Sequence, residues 1–303
     1  IRRIDMRVGI GLALTNTFQR PFGDSLMHLA QQVEQSGFAT LAVGDHFAFR
    51  SPRRPDMIDW YESWSTLAFV AACTSRIRLS TMVSGITTRN PVALVKTVNT
   101  LDALSNGRAY LSVGASPNFG EDEHRRMGLP FPSAGERIAC LEEVLQIALQ
   151  LWSGEDRPFD GTYYQLTSTA GSPLCVQQPH PPILIAGSGP KMLHLMAKYA
   201  DVVSIGGFGE NLDDLRAKLE VLRQQCETLN RPYKEIEKIT LFLAPVVQNG
   251  RLDSTALDTF RALAELGFDE VMISLPNPSD PAPFDLLAAE LIPAVEQIPV
   301  NKQ

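Results

Sequence analysis

The chain has 303 residues, 44% of them apolar, and 27 Lys and Arg against 34 Asp and Glu give a formal net charge of −7. That size and apolar content suit one large α/β barrel or two smaller domains. The acidic balance argues against nucleic acid or an anionic membrane surface as the main partner, and no apolar run approaches the ~20 residues needed to cross a bilayer.

Along the chain, short apolar runs alternate with longer amphipathic ones. Residues 8–14 read as a first strand and 24–37 as its helix, with Leu26, Leu29, Ala30 and Val33 on one face and Gly37 as a C-terminal stop. Strand two at 40–44 is followed by a helix at 64–74. Strand three at 77–83 precedes a helix at 91–104 that has Pro91 in its first turn. Strand four at 109–113 precedes a long helix at 136–152. An irregular stretch at about 153–182 contains the hairpin-like Phe159-Asp160-Gly161-Thr162-Tyr163-Tyr164 and reads as an insertion rather than a second core. The alternation resumes with strands at 183–186, 202–205, 239–247 and 270–275 and helices at 190–199, 212–229, 255–266 and 284–295. Eight strands with continuously apolar members such as Ile183-Leu184-Ile185-Ala186 predict a (β/α)₈ TIM barrel forming a single domain over 1–303. An open doubly wound sheet shares the alternation, but no G-x-G-x-x-G follows strand one.

Four cysteines (Cys73, Cys140, Cys175 and Cys226) form no C-x-x-C pair and read as free thiols in a reducing compartment. Ile1-Arg2-Arg3-Ile4-Asp5 lacks the apolar stretch of a signal peptide, so a cytoplasmic location is expected.

In such a barrel the chemistry sits at the C-terminal ends of the strands. Strand two ends in Gly44-Asp45-His46-Phe47, a carboxylate beside an imidazole able to exchange a proton near neutral pH. Neighbours on extended backbone point to opposite sides, so the two side chains need not touch; Asp45 could equally cap a turn. Strand three ends in Val83-Ser84-Gly85, where glycine permits a bulge or the close approach of a flat ligand. Strand four ends in Gly114-Ala115-Ser116-Pro117-Asn118, whose small residues leave room at the mouth; Glu121, Asp122 and Glu123 beyond it read as the start of a solvated helix. Strand five ends in Gly187-Ser188-Gly189-Pro190 directly before a helix. That is either an anion cradle of backbone N–H groups or a tight turn without a ligand. His28 and His194 fall inside helical patterns, His124 follows strand four within reach of the mouth, and His180 sits among prolines. No metal-ligand spacing and no Gly-x-Ser-x-Gly elbow is present. Lys96, Lys191, Lys198 and Lys218 lie in helical patterns, which counts against a Schiff-base aldolase or lyase.

Taken together, the chain resembles the luciferase-like flavin and deazaflavin oxidoreductases over nearly its whole length. The matching segments are Gly37-Phe38 with Gly44-Asp45-His46-Phe47, Arg76 to Thr81, Arg89-Asn90-Pro91 and Leu101-Asp102-x-Leu104-Ser105-x-Gly107-Arg108. They continue with Arg137-x₄-Glu142-Glu143 before Leu151-Trp152, Pro182 to Pro190, and Tyr199-Ala200-Asp201. The resemblance implies the barrel with its insertion after the fourth repeat and a flavin-type ring at the strand ends. Asp45 and His46 would lie beside that ring as the catalytic candidates, His46 assisting proton transfer as a hydride moves. Val83-Ser84-Gly85 would form the bulge under it, often with a non-proline cis peptide. Gly114, Ala115, Ser116 and Asn118 would line the pocket, and Gly187, Ser188 and Gly189 would hold the cofactor phosphate. Gly-Asp-His-Phe and Gly-Ser-Gly-Pro look most like the branch that uses coenzyme F420, with an FMN-dependent monooxygenase as the alternative and a non-catalytic flavin-binding barrel as a reading of another class. Phe49-Arg50 and Pro117-Asn118 depart from the sugar-phosphate dehydrogenases of that branch, which carry an aromatic and a Glu in those regions. The expected partner is a small-molecule substrate walled by residues 50–61 and the insertion. Dimers are common in the family, and residues 91–104 are a candidate dimer surface.

Overall fold

Strands buried on both faces can close on themselves, and these do. The computed structural model describes residues 5–15, 21–49, 58–171, 173–207, 211–274 and 282–302. The first strand is Arg7–Leu12 and the second Thr40–Val43. The third comes in two pieces, Arg78–Thr81 and Ser84–Gly85. Then come Leu111–Gly114, Ile183–Ala186, Val202–Ser204, Glu237–Phe242 and Glu270–Ser274 as the fourth to eighth. All these pairings are parallel, in the spatial order three, two, one, eight, seven, six, five, four. The first piece of strand three pairs with strand two and the second with strand four. Leu79 bridges Ala109, so the sheet closes into the expected (β/α)₈ barrel.

Side chains alternate in and out along each strand. Those pointing out, such as Ile10, Leu41, Leu79, Val113, Ile185, Val203 and Ile273, join the large core beneath the helices. Those pointing in stack in layers. A middle layer of Ala42, Leu184, Val202, Ile239 and Met272 is apolar. The layer at the N-terminal end is charged: Arg78 reaches Glu270 at 2.6 Å and Glu237 at 3.1 Å, and Arg7 reaches Glu237 at 2.5 Å. Towards the C-terminal end the inward positions become small, with Gly11 beside Ser274 and Gly114 beside Ala186, itself beside Ser204. The barrel is therefore plugged at one end and open at the other.

The helices start where capping side chains allow. Asn90 accepts from the N–H groups of Val92 and Ala93 and starts Pro91–Leu104. Ser133 and Glu136 form a capping box for Ala134–Trp152, as Asn211 and Asp214 do for Leu212–Thr228. Several elements differ from the sequence expectation. Strand seven, expected over 239–247, ends at Phe242, and Val247–Gln248 instead pairs antiparallel with Arg251–Leu252. Strand three is interrupted at Met82–Val83, whose peptide is cis. The last helix runs as Ala282–Leu286, a π segment Leu287–Leu291 and Ile292–Val295; Pro293 lacks the N–H a regular turn would use, and the backbone widens just before it. The insertion carries a two-residue antiparallel pair, Phe159–Asp160 with Gln165–Leu166. Its turn is held by Glu143, whose carboxylate accepts from the N–H groups of Thr162, Tyr163 and Tyr164. Cys140, Cys175 and Cys226 are buried, Cys73 is half-buried, and all four are free thiols. No described helix is long and apolar enough to cross a membrane.

The charged plug makes stability depend on pH. Burial pushes the Glu237 carboxyl up, but Arg78 and Arg7 outweigh it and hold it below its ordinary value of 4.5. A carboxyl lowered in the folded state stabilises the fold above its unfolded pKa, and that stabilisation is lost as pH falls through the lower folded value. The urea midpoint should therefore drop as pH is lowered below about 4.5. Arg78→Met, which leaves the buried Glu270 with only Arg7 Nε at 3.5 Å, should cost about 3 kcal/mol at neutral pH with an unchanged m-value.

Candidate active site

Because every barrel strand is parallel, residues just beyond their C-terminal ends share one rim. The floor there is built on glycines against which the Val83 and Ser116 side chains pack. A Cβ on Gly114 would lie 2.9 Å from Val83 Cγ2, and one on Gly85 would lie 2.4 Å from Ser116 Oγ. These are close approaches only glycine permits. Ser116 itself sits at φ 55°, a left-handed conformation, and its hydroxyl lies 3.0 Å from Thr87 Oγ1. A flat ring can rest against such a surface.

Beneath this floor lies a buried charge. Asp45 follows strand two by two residues and is 8% exposed. Its carboxylate accepts from Ser63 Oγ at 2.6 Å, Ser84 Oγ at 2.5 Å, and Arg89 Nη1 and Nη2 at 2.5 and 2.9 Å. The Ser84 hydroxyl in turn accepts from Trp64 Nε1 at 3.2 Å. Arg89 also donates to Glu62 Oε1 at 2.8 Å and lies over the Phe47 ring. Glu62 starts the helix Ser63–Cys73 by accepting from the N–H groups of Trp64 and Ser65. Burial alone would lower the Arg89 pKa, but Asp45 and Glu62 hold it above its ordinary value. Asp45 thus ties strand two, strand three and two helix starts together, and Ser84, wholly buried, turns its side chain into this network.

His46 goes the other way, as alternation requires. Its ring is edge-on to Trp60 with centroids 5.2 Å apart, and its side chain stays 24% exposed. Gly44 makes room for that Trp60, since a Cβ there would lie 2.5 Å from Trp60 Cζ3. Trp60 Nε1 is a buried donor without a partner among the described residues. His46 Nδ1 lies 2.8 Å from Glu123 Oε2. The other oxygen, Oε1, accepts from the N–H groups of Phe47 at 2.6 Å and Ala48 at 3.3 Å. Burial pushes the Glu123 carboxyl up, but His46 and these two amides more than reverse the effect and hold it below its usual range.

Glu123 corrects the sequence reading. The run from Glu121 does open a helix, Glu121–Arg126, and Glu121 is exposed, but Glu123 and His124 are buried. One short turn thus drops two consecutive titratable side chains into the rim. His124 Nδ1 donates to Gly120 O at 2.8 Å and Nε2 lies 2.7 Å from Thr87 Oγ1. The only sequence signal was position: an acidic run directly after a strand end, in a fold that works at strand ends. Asn118 is exposed and its Oδ1 accepts from Arg137 Nη2 at 2.7 Å, and Arg137 also donates to Ala115 O and Pro132 O, fixing this loop.

The turn after strand five is split in use. Gly187, at φ 155°, donates its N–H to Ser204 O at 3.1 Å, continuing the sheet ladder. Ser188 and Gly189 are exposed, and a Cβ on Gly189 would meet nothing. Gly189 starts Pro190–Tyr199 without a side-chain cap, so an anion there would be held by amides from Ser188 onward and by the helix dipole. Of the residues expected to wall the substrate, 50–57 lie outside the described residues, while Trp60 stands at the rim. Lys238 is the one lysine on a described strand; it lies near the plugged end, its Nζ bonded to Ile236 O at 2.9 Å.

Comparison with known proteins places this geometry. The family profile described as luciferase-like monooxygenase matches residues 12–265. An F420-dependent glucose-6-phosphate dehydrogenase of Kineococcus radiotolerans is 32% identical over 223 residues, 70% of this chain; the match spans 61% of that protein's length. An F420-dependent secondary alcohol dehydrogenase, solved with an F420–acetone adduct, superposes with a TM-score of 0.81 at 18% identity over 96% of this chain and 99% of its own. The monooxygenase RslO1 of Streptomyces bottropensis gives 0.72 at 20% identity over 95% and 99%. At these identities the two structures establish the shared fold.

Asp45→Asn should expose how much the rim depends on its buried charge. An amide sets an NH₂ against one Arg89 nitrogen in either orientation and leaves Arg89 with half its bidentate partner. Chemical denaturation should show a loss of about 3 kcal/mol.

Proposed function

The chain belongs to the luciferase-like monooxygenase family, and within it we propose an oxidoreductase that binds a deazaflavin of the coenzyme F420 type and exchanges a hydride with a small organic substrate. The observation that carries this reading is His46, held by Glu123 at the open end of the barrel beside a floor where Gly85 and Gly114 let Ser116 and Val83 pack close. When bound, the deazaflavin accepts or gives a hydride in a two-electron step. The protein's share is the proton. A substrate that loses a hydride from carbon loses a proton from its heteroatom, and His46 takes it; in the reverse direction His46 returns it. Val83, Gly85 and Gly114 would support the ring from below, Ser116 would face its edge, and Ser188 and Gly189 with the helix start would hold the phosphate. Asp45 supports the site by holding the strands in place, since two serines and Arg89 occupy its oxygens. The name carried by the Kineococcus relative supports the deazaflavin. The family description and the RslO1 likeness favour a second reading, an FMN-dependent monooxygenase.

Spectral titration of the purified protein separates the two. Deazaflavin binding with a spectral shift is the expected outcome; tight FMN binding without deazaflavin binding would sink the first reading. His46→Asn should keep cofactor binding and lower kcat by about 10²–10⁴-fold, the usual worth of a general acid–base. Unchanged activity would point to a barrel that only binds its flavin.

A dimer belongs to the same proposal. Helix Ser63–Cys73 is apolar nearly all round, yet Phe69 is 41% exposed on it and Leu104, on the neighbouring helix, 60%. A helix of that composition belongs in an interior, and a second copy would supply one. Light scattering should show a dimer that becomes a monomer in the Phe69→Glu/Leu104→Glu variant; a wild-type monomer would overturn this.

A further inference from the structure

His46 has two ring nitrogens, and proton transfer requires a particular one to carry the lone pair. We infer that Glu123 is a positioning residue that fixes the tautomer of His46, so that Nδ1 carries the proton and Nε2 does the proton transfer. The inference rests on the proton role proposed for His46 above, while the tautomer itself follows from the hydrogen bonds of Glu123 and its ionised state.

The geometry leaves Glu123 one role. Its Oε1 is taken by two backbone donors, Phe47 and Ala48, which can only donate. Its Oε2 faces His46 Nδ1 at 2.8 Å. The carboxyl is held ionised by those same neighbours, so it has no proton to give, and Nδ1 must be the donor. In the neutral ring the lone pair then sits on Nε2. Because the two amides belong to the residues directly after His46, Glu123 also fixes the backbone that aims the ring. Its own position is set in turn by the helical turn Glu121–Arg126, where the buried His124 is anchored to Gly120 O and paired with Thr87.

Replacing Glu123 by glutamine turns this into a test. The amide oxygen must stay on the Phe47 and Ala48 N–H groups, because an NH₂ there would oppose two donors. The NH₂ then faces His46 and becomes the donor, so Nδ1 must accept and the proton moves to Nε2. Glu123→Gln is nearly isosteric, so the predicted change is an inverted tautomer in a folded protein. It can be read without cofactor or substrate, by long-range ¹H–¹⁵N correlation on protein labelled in its five histidines. His46 is assigned by its loss in His46→Asn, at a pH where the ring is neutral.

We expect Nδ1–H in the wild type and Nε2–H in Glu123→Gln, with kcat in that variant reduced about 10²-fold or more and KM little changed. Nε2–H in the wild type, or Nδ1–H retained in Glu123→Gln, would overturn the inference. An inverted tautomer with undiminished turnover would instead overturn the proton role of His46 and leave the tautomer control standing, so the two failures are distinguishable. Circular dichroism and the urea midpoint of the variant check that it remains folded; if Glu123→Gln reached the wild-type fold and kept both tautomer and rate, Glu123 would have no positioning role.

Discussion

A carboxylate buried at the end of strand two organises the open end of this barrel. Asp45 is 8% exposed, and a charge so placed is tolerated only if its oxygens are satisfied by donors that do not move. Arg89 supplies a bidentate pair and Ser63 and Ser84 the rest. Each comes from a different part of the chain: the start of one helix, the second piece of strand three, and the loop ahead of the helix Pro91–Leu104. Satisfying one charge therefore places three loops. The Ser84 bond also holds the second piece of strand three next to strand four, where Gly85 and Gly114 admit the close approach of Ser116 and Val83.

The inward-facing layers explain why the barrel is open at only one end. Near the strand starts, Arg7, Arg78, Glu237 and Glu270 fill the lumen with mutually paired charge. Above them an apolar layer separates that plug from the rim. At the rim several inward positions shrink to glycine, alanine and serine, with Leu241 of strand seven and Val83 the larger side chains there. The same period-two alternation that buries the outer face under helices thus grades the inner face from closed to open. A ligand approaching the strand ends finds the space left by small side chains, with His46 and Trp60 at its edge.

Most of this architecture was legible in the sequence because it depends on local pattern. Apolar runs of four or five residues and capped helices such as that started by Asn90 are periodic features, and they marked the eight repeats and the glycine-bearing strand ends. The misreadings have tertiary causes. Strand seven looked longer because Val246 and Val247 extend its apolar run, but the chain turns there to pair with Arg251–Leu252. Gly187 looked like a ligand amide, yet its N–H continues the ladder to Ser204. Glu123 looked solvated because its neighbours in sequence are charged, yet it is buried and bonded to His46, Phe47 and Ala48 in the segment after strand two.

The two carboxylates around His46 divide the work in a way that sequence adjacency conceals. Asp45 is the neighbour in sequence, but extended backbone turns it away into the Arg89 and serine network, so it acts on the strands. Glu123 is 77 residues away and makes the contact with the ring. Had Asp45 bonded the imidazole, one buried group would have had to hold the rim together and orient the ring as well. Separating them lets the rim keep a fully satisfied charge, while the group on the imidazole sits on a short helical turn of its own. The adjacent pair Asp45-His46 is then better understood as two side chains on opposite faces of one strand end: one faces the scaffold, the other faces Trp60 and Glu123 at the rim.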